Sequence, residues 1–270
     1  MAQSSESSGK LALVTGASTG IGYFLAHECA NHGYDLIVAA DEARIEKAAA
    51  ELRGHTGVAV RAVEVDLATV EGVDRLCDAA EGRPINLLLA NAGRGLGGDF
   101  LDHDFAEARR VVDTNITGTL YLIWRVGGDM RSRGEGRILI TGSISGFLPG
   151  AYQAVYNGSE AFLGSFSFAL RAELDDTGVS VTCLMPGATA TEFFARAEMA
   201  DTPTQERKDD PAEVARLGFE AMMRGDEQDA VSGWRGKLQS ALANVVPGAM
   251  TSRPRKPVSP SPASAKPREP

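Results

Sequence analysis

The residues with the plainest chemical meaning in this chain are the glycines of Thr15-Gly16-Ala17-Ser18-Thr19-Gly20-Ile21-Gly22. They follow a short apolar run and open a segment of helical periodicity. A turn of this kind suits a pyrophosphate. Gly16 permits the sharp bend, Gly20 lets the backbone approach the phosphates, and Gly22 lets the following helix pack closely on the strand. The amides that begin the helix, around Ser18, Thr19, Gly20 and Ile21, then point at the negative charge. At a strand-to-helix junction near the chain start, this pattern predicts dinucleotide binding.

Such a turn works only if a buried sheet holds it, and the rest of the sequence supplies one. Apolar runs at Leu11–Thr15, Asp35–Ala40, Val58–Asp66, Ile85–Ala90, Arg137–Thr141 and Val179–Met185 read as strands. Helical patterns at Ile21–Asn31, Glu42–Arg53, Val70–Ala80, Phe105–Met130 and Tyr152–Thr177 alternate with them. Continuous apolar strands alternating with helices predict an α/β fold, a single doubly wound parallel sheet of the Rossmann type covered by helices on both faces. Ligands then lie at the carboxyl ends of the strands. The expected organisation is a flexible leader over 1–9, a catalytic domain over 10–246, and a disordered Pro/Ser/Lys-rich tail over 247–270.

Composition narrows the function classes. A hydrophobic fraction of 43% is that of a globular chain, and a formal charge of -9 argues against a nucleic-acid surface. Three scattered cysteines, Cys29, Cys77 and Cys183, provide neither a disulfide framework nor a zinc site, so no metal is expected. The polar first ten residues and the lack of a long apolar run lead to the expectation of a cytoplasmic protein with no membrane partner.

The spacing TGxxxGxG resembles the short-chain dehydrogenase/reductase family, and further motifs follow in the family's order from about Lys10 to the 240s. Asp66, with Leu67 beside it, matches the Asp that contacts adenine. Asn91-Ala92-Gly93 matches the motif that steadies the central sheet beside the cofactor, and Asn115 matches the structural and proton-relay Asn. Ser143 lies thirteen residues before Tyr156, the spacing of the family's catalytic Ser and Tyr. Pro186-Gly187, with Thr189 and Thr191, matches the segment that holds the nicotinamide carboxamide. The resemblance implies hydride transfer between NAD(P) and a carbonyl or alcohol, with Tyr156 as acid/base and Ser143 orienting the substrate oxygen.

One residue departs from the family pattern. Where the family has YxxxK, this chain has Tyr156-Asn157-Gly158-Ser159-Glu160. The family's Lys binds the nicotinamide ribose and lowers the tyrosine pKa; a carboxylate one turn away on the same helix face raises it. Glu160 can still accept hydrogen bonds from ribose hydroxyls. Alcohol oxidation needs tyrosinate and is impaired, whereas carbonyl reduction needs the neutral phenol that Glu160 leaves intact. The readings left open are a slow or reduction-biased oxidoreductase, a non-catalytic dinucleotide-binding sensor or partner protein, and an engineered inactive variant.

The cofactor is expected to be NAD(H) or NADP(H). The balance leans to NAD(H), because Asp41 and Glu42 follow the second strand and Thr19 stands where NADP-preferring relatives often carry a base. Arg44 keeps NADP(H) open. Arg94–Gly98, Ile144–Tyr152 and the segment after Thr191 are expected to line a mostly apolar pocket through Phe147, Leu148, Tyr152, Phe193 and Phe194, suited to a small hydrophobic ketone or secondary alcohol. Glu192–Asp210 reads as a mobile lid. The two long helical stretches resemble those that pair between subunits in the family, which implies a homodimer or homotetramer.

Overall fold

A computed structural model describes residues 9–147, 150–197, 208–225 and 230–231. Residues 1–8 of the expected leader, Leu148, the Phe194 side chain, most of the expected lid and the 247–270 tail lie outside the described residues.

Among the described residues, seven parallel strands form one sheet: β1 (Leu11–Thr15), β2 (Asp35–Ala40), β3 (Val60–Glu64), β4 (Ile85–Ala90), β5 (Gly136–Thr141), β6 (Val179–Met185) and β7 (Ala230–Val231). Their order is β3-β2-β1-β4-β5-β6-β7. The order reverses between β1 and β4, so a crevice opens beyond their carboxyl ends. In register, Val14 lies beside both Val38 and Leu89, which brings the turn after β1 next to Asn91. Strands β1 and β2 are buried at every position, as a sheet covered on both sides requires.

Alternate residues feed two cores. Leu11, Leu13, Leu88, Ile138 and Val181 pack beneath α5 (Thr119–Arg133) and α6 (Ala154–Glu173), which contribute Leu122, Val126 and Leu163. On the other face Ala12, Val14, Leu87 and Leu139 meet α1 (Gly20–Asn31), α2 (Arg44–Thr56) and α8 (Pro211–Arg224) through Leu25, Leu52 and Phe219. The remaining helices are α3 (Val70–Asp78), α4 (Phe105–Val112) and the short α7 (Phe193–Arg196).

Two features differ from the sequence expectation. The stretch around 105–130 is helical, but a wider π-type turn over Asp113–Gly118 interrupts it and carries Asn115. Gly118 presses on the carbonyl of Leu67, where a Cβ would stand 2.0 Å from the oxygen. Beyond β6, α8 and β7 extend the layer past the last expected strand. Helix α8 begins with an Asp210 cap and Pro211 and ends at Gly225.

Candidate functional site

The phosphate turn is built as the residue types demand. Gly16 and Gly20 hold φ values of +65° and +59°, which glycine adopts without strain. A Cβ on Gly22 would lie 2.2 Å from the Gly16 carbonyl oxygen, so helix and turn touch backbone to backbone. Thr19 caps α1 in an extended conformation with no side-chain hydrogen bond, and the first turn holds no acid. The amides at this helix start are therefore left for an anion.

A threonine that the motif reading did not single out stitches this turn to the next strand. Thr15 Oγ1 is buried; it accepts from the amides of Asn91 and Ala92, each at 2.9 Å, and donates to the Leu89 carbonyl. Asn91 Nδ2 donates back to the Thr15 carbonyl at 3.1 Å. One hydroxyl thus satisfies two loop amides at the crevice floor. Gly93 faces the Asn115 side chain.

Asn115 itself is fully paired. Its Oδ1 accepts from the Arg94 amide at 2.7 Å, and its Nδ2 donates to the Arg94 carbonyl and to Ser159 Oγ at 2.9 and 3.0 Å. It ties the loop after β4 to α6, one residue from Glu160. Asp66 Oδ2 accepts from Arg110, and Oδ1 from the Ala68 amide. Leu67 is buried beside it. Asp41, after β2, pairs with Arg94 at 2.5 Å.

Ser143 and Tyr156 meet. The Ser143 hydroxyl is near enough to the phenol to favour its ionised form, but burial chiefly, and the Glu160 carboxyl next, outweigh it and push the phenol well above 10. The tyrosine ring packs on Phe193 with centroids 5.4 Å apart. Tyr152, at the approach to α6, adopts φ +66°, and its carbonyl accepts from the Gly98 amide. The Gly97 amide donates to the Ala197 carbonyl, so the loop after β4 and the segment after Thr191 close on one another. These are the expected pocket walls, and the described parts of them converge.

Glu160 lies a turn below Tyr156 and is 6% exposed. Its Oε2 is buried, with no hydrogen-bond partner among the described residues. Burial pushes its carboxyl up to about 8, so near neutral pH it is largely a protonated acid. The expectation of a carboxylate at this position is thereby revised. Sequence placed the residue on the right helix face, but only its surroundings decide its charge.

The segment after β6 crosses to the phosphate turn. The Ile144 amide donates to the Pro186 carbonyl, Thr189 Oγ1 donates to the Gly187 carbonyl, and Thr189 bridges to Asp209. Thr191 Cγ2 would lie 3.0 Å from a Cβ on Gly20. A cleft of about 380 Å³ beside the turn is lined by Thr19, Gly20, Arg44, Thr191, Glu192 and Lys208. Glu192 accepts from both terminal nitrogens of Arg44 at 2.8 Å, and from Arg196 at 2.8 Å. These hydrogen bonds hold its carboxyl at about 2. Arg196 also reaches Glu42, which accepts from Ser18 Oγ at 2.6 Å. The Glu192–Arg196 pair has helical spacing, but no local pattern announces the contact with Arg44, which stands 148 residues from Glu192.

The turn, the uncapped helix start and the crevice fit a dinucleotide, and the Ser143–Tyr156 pair beside Phe193 fits a carbonyl compound. Comparison with known proteins agrees. The family described as short chain dehydrogenase matches residues 10–201. An "Uncharacterized oxidoreductase" of Myxococcus xanthus is 32% identical over 246 residues, covering 90% of this chain and 94% of that protein. A short-chain dehydrogenase from Sphingobium yanoikuyae, solved with NADPH, is 28% identical with a TM-score of 0.78, covering 93% of this chain and 98% of the other. A bulky-bulky ketone specific alcohol dehydrogenase from Comamonas testosteroni is 25% identical with a TM-score of 0.74, covering 93% and 97%.

Proposed function

Because the chain belongs to the short-chain dehydrogenase family of oxidoreductases, we propose that it reduces a hydrophobic ketone to a secondary alcohol at the expense of a reduced nicotinamide dinucleotide. The observation that carries this reading is the Ser143–Tyr156 hydroxyl pair, with the phenol held protonated well above 10. A bound reduced nicotinamide supplies the hydride. The Ser143 hydroxyl donates to the substrate oxygen and polarises the carbonyl. Tyr156 Oη then gives its proton to the forming alkoxide. Phe193 and the ring of Tyr156 keep the reacting oxygen in apolar surroundings.

Direction follows from charge. Alcohol oxidation needs tyrosinate, which burial disfavours first and which Glu160 disfavours further once it ionises above about 8. Reduction starts from the phenol. A neutral Glu160 leaves that phenol intact but gives the developing tyrosinate no cation, so turnover is slow and biased to reduction. The dinucleotide is held by the turn 15–22, Asn91, Asp66 and the 186–191 segment. NAD(H) is favoured over NADP(H), since Asp41 and Glu42 stand after β2 and Thr19 brings no base. The catalytic domain spans 10–246 and works in the cytoplasm. Phe105, Trp124, Phe162 and Phe168, exposed on α4, α5 and α6, suit a homodimer or homotetramer.

The test is cofactor oxidation at about 340 nm over a panel of hydrophobic ketones. The native chain, Tyr156→Phe and Glu160→Lys are compared. Slow turnover by the first, loss of at least about a hundredfold in the second, and a gain in alcohol oxidation in the third support the reading. A second reading, a non-catalytic dinucleotide sensor, draws on the unpartnered Oε2 of Glu160. It takes over if dinucleotide binds while neither the native chain nor Glu160→Lys turns over any substrate.

A further inference from the structure

Beside the phosphate turn, two guanidiniums converge on a single carboxylate. Arg44 approaches Glu192 with both terminal nitrogens, each at 2.8 Å, and Arg196 adds a third contact at 2.8 Å. A bidentate arginine with a second arginine at its side is the arrangement by which proteins hold a phosphate monoester. Here the anion comes from the chain itself, at the edge of the cleft that Thr19 and Gly20 line.

The charges in this cluster balance. Arg44 and Arg196 face Glu42 and Glu192, and Glu42 is further occupied by the Ser18 hydroxyl at 2.6 Å. Nearby, Asp41 and Arg94 neutralise each other. Lys208, on the same cleft, has an interaction of its own. A ribose 2′-hydroxyl adds no charge to such a cluster. A 2′-phosphate brings about two negative charges to a place where each guanidinium already has a carboxylate. Binding it requires either that Glu192 be displaced or that like charges sit together.

We propose that Glu192 sets the cofactor preference of this site by occupying Arg44 and Arg196, so that NAD(H) binds in preference to NADP(H). The assignment rests on the dinucleotide reading given under proposed function. It makes Glu192, a residue of the segment after β6 and far in sequence from the second strand, a determinant of which dinucleotide enters. The same carboxylate ties that segment to α2, so exchange of the internal anion for a phosphate also loosens the strap across the cleft.

The experiment is equilibrium titration of the full chain with NADH and NADPH, followed by the change in nicotinamide fluorescence on binding. Three proteins are compared: the native chain, Glu192→Gln, and Glu192→Gln combined with Arg44→Gln. The native chain should bind NADH more tightly. Glu192→Gln should tighten NADPH binding by roughly tenfold while NADH changes by no more than about twofold, and the added Arg44→Gln should erase that gain. An unchanged NADPH-to-NADH ratio in Glu192→Gln overturns the assignment and leaves the dinucleotide reading standing. So does a gain that survives Arg44→Gln. If the native chain binds neither dinucleotide, the underlying reading falls and this one falls with it.

Discussion

Glu160→Gln isolates the energetic consequence of an acid buried beneath a tyrosine. Burial holds the Glu160 carboxyl at about 8 in the fold, against an ordinary value of 4.5. The folded value lies above the unfolded one, so the folded state binds the proton more tightly. Its contribution to stability is fully present below the unfolded value and is lost as pH rises through the folded value. At about 1.36 kcal/mol per pH unit, the loss amounts to on the order of 5 kcal/mol between those limits. Against the roughly 5–15 kcal/mol that holds a domain together, that is a large share. Glutamine keeps the shape and cannot ionise. Urea unfolding of the cofactor-free protein, followed by circular dichroism at several values between about pH 5 and pH 9, gives the stability of both forms. Other groups titrate equally in the two proteins, so the difference curve reports Glu160. It should move in favour of Glu160→Gln by several kcal/mol across that window and level off above about 8. A flat difference curve would refute the reasoning, because it would mean that the carboxyl ionises in the fold as readily as in the unfolded chain.

Asn115→Ala leaves the Arg94 amide and carbonyl without the partners they now have at 2.7 and 2.9 Å, and frees Ser159 from its contact to the loop. A loss of about 2–4 kcal/mol in unfolding free energy is expected, with weakened dinucleotide binding; a neutral result in denaturant melts would count against Asn115 as the tie between loop and helix. Gly22→Ala drives a methyl to 2.2 Å from the Gly16 oxygen and 2.5 Å from Asn91 Nδ2. The turn must shift, at a cost of about 1–3 kcal/mol, and NADH titration should show at least about tenfold weaker binding. Unaltered affinity would separate the turn from the cofactor.

Local order was written in the sequence because it is decided locally. Strands β1, β2, β4 and β6 occupy the ranges that their apolar runs mark out, since a strand buried on both faces reads as a nearly continuous apolar run with few polar positions to confuse the pattern. The phosphate turn is legible for much the same reason: Gly16 and Gly22 answer to the turn's own backbone and to Asn91 and Ala92 just after β4, and only Gly20 meets a distant residue, Thr191. Helix α8 carried its own signals in Asp210, Pro211 and Gly225, though the sequence reading took Asp210 as the end of an expected lid and placed no helix after it.

What the tertiary structure decided is charge. From the sequence Glu160 is a carboxylate near a tyrosine; packed inside the fold with an unpartnered oxygen, it is an acid held at about 8. Asp41, Asp66 and Glu192 are acids of ordinary appearance until the fold gives them Arg94, Arg110 and Arg44, across separations of 53, 44 and 148 residues. Periodicity records which face a residue occupies, but ionisation depends on water and on partners from other elements. Those are set only when the sheet closes and the distant segments arrive.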